Sequence, residues 1–149
     1  EGNIKPKIVY FKTQNAQLDK IIEMINNARM DDVGILFRYN SEIQYAAEYF
    51  ENRGLAVEMK INQNMEIDFN STKPKLLTYH SSKGTQFQNV FIPIYADLRD
   101  DYESALYVAM TRTYEGLYIF HSQYKPSVLD ELPSNIYEST ISSAKKFEL

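Results

Sequence analysis

Val33-Gly34-Ile35-Leu36-Phe37 is an unbroken apolar run set between two segments of helical periodicity, and it constrains the fold more than any other stretch. A strand reads this way when both faces of its sheet are covered. Before it, Leu18, Ile21, Ile22 and Ile25 recur at helical spacing, predicting a helix over 15–31 that Asp31-Asp32 ends. After it, Ser41 is suited to cap a helix over 42–53, with Ile43, Ala46, Ala47 and Phe50 on one stripe and Gly54 as the residue just past its end.

The same alternation continues along the chain. Residues 7–11, 55–59, 75–79, 89–94 and 116–120 read as further strands, and 101–114 as a helix. Residues 62–74 are polar and turn-rich, a connection with a short edge strand expected at Met65–Phe69. Strands alternating with helices imply a mainly parallel sheet in a three-layer α/β domain. One such domain is expected over 1–121. A tail over 122–149, serine-rich with Pro126 and Pro133, is expected to pack on it or to be partly disordered.

Composition excludes several chemistries. The 149 residues include no cysteine and only two histidines, His80 and His121, which argues against thiolate or histidine metal sites. No apolar run reaches the roughly 18 residues of a membrane span, so a cytoplasmic location without a membrane partner is expected. The net charge of −4 excludes a generally basic coat but not a local basic groove. The opening, Glu1-Gly2-Asn3 directly ahead of a strand-like run, suggests a fragment of a larger protein.

In parallel sheets, ligands lie beyond the carboxyl ends of the strands. Two polar loops leave such ends: Arg38-Tyr39-Asn40, and His80-Ser81-Ser82-Lys83-Gly84 within 75-KLLTYHSSKGTQFQNVFIPIY-95. Histidine, serine, lysine and a close-approach glycine suit phosphate oxygens. Neither loop is a Walker A motif, because no G-x-x-x-x-G-K-[ST] occurs, and no G-x-G-x-x-G occurs either. Near the end of the 101–114 helix, Arg112 has Ala105, Val108 and Ala109 on its own side. Such small neighbours would let another body approach an arginine that stabilises transferring phosphate.

These segments resemble a family. 76-LLTYHSSKGTQFQNVFIP-93 resembles the T-x-H-[SA]-[SA]-K-G-L-E-F motif of UvrD/Rep-like superfamily 1 DNA helicases. 107-YVAMTRTYEGLYI-119 resembles their Y-V-[AG]-[LM]-T-R-A-x-x-x-L motif, and 34-GILFRYNSEIQYAAEYFENRGL-55 their A-V-L-Y-R-T-N segment. The matches come in the family's order and cover most of 33–120. The resemblance implies a RecA-like C-terminal motor domain, in a compact form without the family's large inserted subdomain. ATP with Mg²⁺ would be held mainly by the N-terminal RecA-like domain of the same parent protein, and single-stranded DNA would cross both domains.

By match to the motifs, Arg112 would reach the γ-phosphate and act catalytically. Gly84 and Gln86 would face the nucleotide sugar, and Arg38, Asn40, Thr78, His80 and Ser81 would contact DNA. The resemblance further implies that the chain alone does not hydrolyse ATP, and that Arg112 should stand free of its own domain's acids near the rim where His80 emerges. Two departures bear on this: Gln86 stands where the family has Glu, and Thr85 where it has Leu. Arg112 paired to Glu103 or Glu115, Asn40 as a helix cap, and Lys83 bonded to loop carbonyls are the structural alternatives. The rival function is a non-catalytic module, derived from such a domain, that binds nucleic acid or protein.

Overall fold

A computed structural model describes residues 5–62, 65–95, 100–122 and 138–141. Among the described residues seven parallel strands form one sheet in the order β3-β4-β2-β5-β6-β1-β7. They are β1 (Lys7–Tyr10), β2 (Val33–Phe37), β3 (Glu58–Met59), β4 (Lys75–Thr78), β5 (Phe87–Ile94), β6 (Thr113–His121) and β7 (Glu138–Ile141), with helices α1 (Gln14–Ala28), α2 (Asn40–Asn52) and α3 (Asp100–Met110). The expected parallel α/β architecture is therefore present. Residues 138–141, inside the stretch read as a tail, pair with β1 at the edge of the sheet.

The layers follow from strand alternation. Along β2, Ile35 and Phe37 join the core under α1 and α2, whereas Leu36 joins the opposite core with Leu106 and Ala109 of α3. All five β2 residues are buried, as the unbroken apolar run requires. Ala109 is thus spent in the domain's own core and does not present a small-residue face to another body. Residues 65–68 form no strand; Ile67 packs against the α3-side core instead.

Several ends differ from the sequence reading for local reasons. Helix α1 stops three residues early because Arg29 takes a left-handed conformation (φ 52°), and Met30 N–H then donates to Ile25 O at 3.0 Å. Helix α2 is capped at Tyr39 rather than Ser41, because Glu42 reaches back to the preceding backbone. It ends as expected at Gly54 (φ 87°), where Leu55 N–H donates to Phe50 O and Gly54 N–H to Glu51 O. Residues 55–57 run unpaired, so β3 is only Glu58–Met59.

Gly34 has a packing reason. A Cβ there would lie 2.4 Å from the ring of Phe87, whose side chain is buried across the β2–β5 pair. Gly34→Ala is therefore expected to cost about 1–3 kcal/mol through overpacking. Urea unfolding would show it as a lowered midpoint at unchanged slope.

Candidate functional site

Three strand ends converge on one groove. Arg38 follows β2, Lys60 follows β3, and His80 and Ser81 follow β4. Together with Tyr39, Asn40, Ile61, Asn62 and Thr78 they line a cavity of about 530 Å³. All five residues expected to contact DNA (Arg38, Asn40, Thr78, His80 and Ser81) lie on it. The parallel pairing explains this: Phe37 sits opposite Thr78, so the chain leaves both strands at the same level.

The walls are held by short-range bonds. Glu42 Oε1 accepts from Arg38 N–H at 3.1 Å and Tyr39 N–H at 3.2 Å, which fixes the backbone under the Arg38 side chain. The Arg38 guanidinium lies 4.5 Å from the Tyr39 ring centroid. Asn40 is the first helical residue and does not cap α2; its Nδ2 donates to Ile61 O at 2.9 Å and ties the third wall in place. Thr78 O–H donates to Ser81 Oγ at 3.1 Å, so the Ser81 hydrogen can be given to an acceptor in the groove.

Ser82, fully buried, sets the shape of the 79–84 loop. Its hydroxyl donates to Tyr79 O at 2.7 Å and its N–H to Thr78 O at 3.0 Å. Lys83 is exposed, and its side chain makes no hydrogen bond among the described residues. Gly84 takes φ 83° with open space around a Cβ, so backbone conformation rather than crowding calls for glycine. His80 is exposed to the groove rather than buried.

Glu42 brings a negative charge to a basic groove. Burial outweighs its two backbone hydrogen bonds and holds the carboxyl above its ordinary pKa. Burial first, then the Glu42 charge, also push the Tyr79 and Tyr95 hydroxyls up. A raised carboxyl pKa means a contribution to stability that is full below the unfolded value of 4.5 and is lost as pH rises through the folded value. Stability of the native chain relative to Glu42→Gln should therefore rise as pH falls from neutral towards 4.5, checked by thermal melts of both proteins across that range.

Arg112 occupies a different place. Helix α3 ends at Met110, so Arg112 lies in the turn before β6 rather than on the helix. Residues before and after parallel strands stand at opposite edges of the sheet. Arg112 and Gln86 therefore lie at the strand starts, whereas His80 lies beyond the strand ends. This corrects the expectation that Arg112 shares the rim of His80. The 79–86 connection runs from one edge to the other and touches both.

The Arg112 turn is heavily bonded to the start of β5. Phe87 N–H donates to Arg112 O at 2.8 Å, Gln86 Nε2 to Thr111 O at 3.2 Å, and Thr113 O–H lies 3.0 Å from Gln88 O. Glu115, a candidate partner for Arg112, instead accepts from Gln88 Nε2 at 2.6 Å. The Glu103 side chain lies outside the described residues. Among the described residues Arg112 has no ion pair, and its Nε is buried without an acceptor.

The sequence reading missed Lys60 and Glu42, and named Tyr39 and Ser82 only as members of the two strand-end loops. Lys60 was within reach, since the strand-end rule applies to β3 as it does to β2 and β4. Among the described residues no cluster of His, Cys, Asp or Glu could hold a metal ion, and no helix is long and apolar enough to cross a membrane.

Residues 75–120 match the family described as the UvrD-like helicase C-terminal domain. Among solved structures, the chain is similar to the C-terminal domain of a "possible DNA helicase" from Lactobacillus plantarum WCFS1, with a TM-score of 0.73 at 17% identity, covering 90% of this chain and 84% of that one. It is also similar to the yeast DEAD-box splicing factor Prp28, at TM-score 0.64 and 16% identity, covering 96% of this chain and 36% of that one. Mss116p DEAD-box helicase domain 2, solved bound to an RNA duplex, gives 0.59 and 10%, covering 97% and 65%. None of the curated proteins matches the sequence. The fold is that of RecA-like helicase C-terminal domains.

Proposed function

We propose that this chain, whose residues 75–120 match the UvrD-like helicase C-terminal domain, is the second motor half of an ATP-dependent DNA helicase. In this reading it completes the ATP site of an N-terminal RecA-like partner domain and forms one side of a single-strand track. The observation that carries it is Arg112: a half-buried guanidinium whose Nε lacks an acceptor among the described residues. An unsatisfied buried donor costs about 1–3 kcal/mol, and a phosphate oxygen from a docked partner site would remove that cost.

The residues fit one wall of such a site. With no Walker A sequence in the chain, ATP and Mg²⁺ would rest mainly on the partner domain, where they supply the phosphoryl chemistry. Arg112 would stabilise charge on the transferring phosphoryl group; Gln86 lies at the same edge of the sheet, and Gly84 lies in the connection leading to it. On the opposite edge Arg38, Asn40, Thr78, His80 and Ser81 would hold the DNA backbone, and Lys60 adds a positive charge there. Closure of the two domains brings the guanidinium in, and release after hydrolysis advances the strand.

The test has two arms. The chain alone should show no ATP hydrolysis, whereas the motor assembled with its partner domain should hydrolyse ATP with stimulation by single-stranded DNA. Strong DNA-stimulated hydrolysis by the chain alone would overturn the assignment. In the assembled motor, Arg38→Ala and His80→Ala should each weaken single-strand binding, and Arg38→Ala should also reduce its salt slope by about 1. Binding and salt slope unchanged in both would remove the groove from the track and leave a protein-docking module as the better reading.

A further inference from the structure

We infer that Gln86 is a positioning residue for Arg112 and not a nucleotide-sugar contact. This deepens the reading of Arg112 given above and rests on it. The backbone direction of an arginine is fixed when the peptide units on both sides of its Cα are fixed. For Arg112 each unit has a bond from outside the turn. The carbonyl of Arg112 accepts from Phe87 N–H at 2.8 Å, and the carbonyl of Thr111 accepts from Gln86 Nε2 at 3.2 Å. Arg112 N–H is in turn given to Ala109 O at 3.0 Å, and Thr111 N–H to Val108 O at 3.0 Å.

Two consecutive residues, the last of the connection and the first of β5, therefore hold the two carbonyls that flank the guanidinium's own Cα. Of these bonds only the one from Gln86 comes from a side chain, so only it depends on residue type. The donor must be an amide: a carboxylate at this place has no hydrogen to give and would face the Thr111 carbonyl oxygen with a negative charge. Glutamine where the motif has glutamate is thus matched to its neighbour. Gln86 is also the last residue of the connection that begins at Tyr79 and carries His80 and Ser81, so the segment that ends on this bond starts at the groove.

The test compares Gln86→Glu and Gln86→Ala with the native protein. In the 149-residue chain, the NMR order parameter of the Arg112 amide should fall from the rigid value of about 0.85 towards 0.6 in both variants, with the melting temperature nearly unchanged. In the assembled motor, kcat should fall about 10- to 100-fold, the scale expected for a misplaced catalytic group. KM for ATP and the preference for ATP over dATP should not move. A lost ATP/dATP preference at native kcat would assign Gln86 to the sugar and overturn the inference. So would a rigid Arg112 amide in Gln86→Glu. Arg112→Ala separates the two levels. If it leaves turnover unchanged, Arg112 is outside the site and the reading on which the inference rests fails; if it abolishes turnover while Gln86→Glu is silent, only the positioning role fails.

Discussion

In the proposed motor, assembled from this domain and a Walker-A-bearing partner, Arg112→Ala should lower ATP turnover by about 10³-fold, the low end for a removed arginine finger, while ATP still binds. The size follows from chemistry. Charge builds on the phosphoryl oxygens only as the reaction proceeds, so a guanidinium aimed at them acts on the transition state more than on the bound nucleotide. Arg112→Lys should recover little, because an ammonium lacks the planar fork. Steady-state hydrolysis with a parallel nucleotide-binding titration decides the matter. Native turnover in Arg112→Ala would take Arg112 out of the site. A parallel loss of binding would make it a ground-state contact.

The second large effect concerns stability. Phe91, fully buried on β5, packs its ring 4.9 Å from that of Tyr118 in a stacked pair and 6.0 Å from that of Phe120 at an edge. β5 lies between β2 and β6 in the middle of the sheet. Phe91→Ala removes the ring from a place where neighbouring strands cannot close in, so both the transfer loss and a residual cavity count. The expected cost is about 3–5 kcal/mol, a large part of the 5–15 kcal/mol typical of a whole domain. A chain of this length should melt roughly 10 °C lower. A shift of only a degree or two would mean that the core collapses around the gap.

Much of this was legible in residues with a single physical meaning. The run 33–37 could be only a covered strand, and Gly54 only the end of α2. The groove was legible because strand ends at one level in a parallel sheet must meet. Other features were not legible, because they depend on which of two close competitors wins. Ser41 is a good cap by type, yet Glu42 moved the cap to Tyr39 by reaching the backbone two residues earlier. Met65–Phe69 alternates like a strand, but Ile67 gained more by packing on the far core. The extent of α3 was overread by four residues, which put Arg112 on a helix when it stands in a turn.

The placement of β1 between β6 and β7 has a consequence for biosynthesis. Lys7 pairs with Tyr118, and its other neighbour is Glu138. The first strand of this domain to be made therefore has no partner on either side until more than a hundred further residues have been made. At roughly 5–20 residues per second that is a wait of about 5–20 s. A nascent chain of this design must keep an apolar strand shielded throughout elongation, and trigger-factor-like holding chaperones are the natural agents to look for on stalled ribosomes.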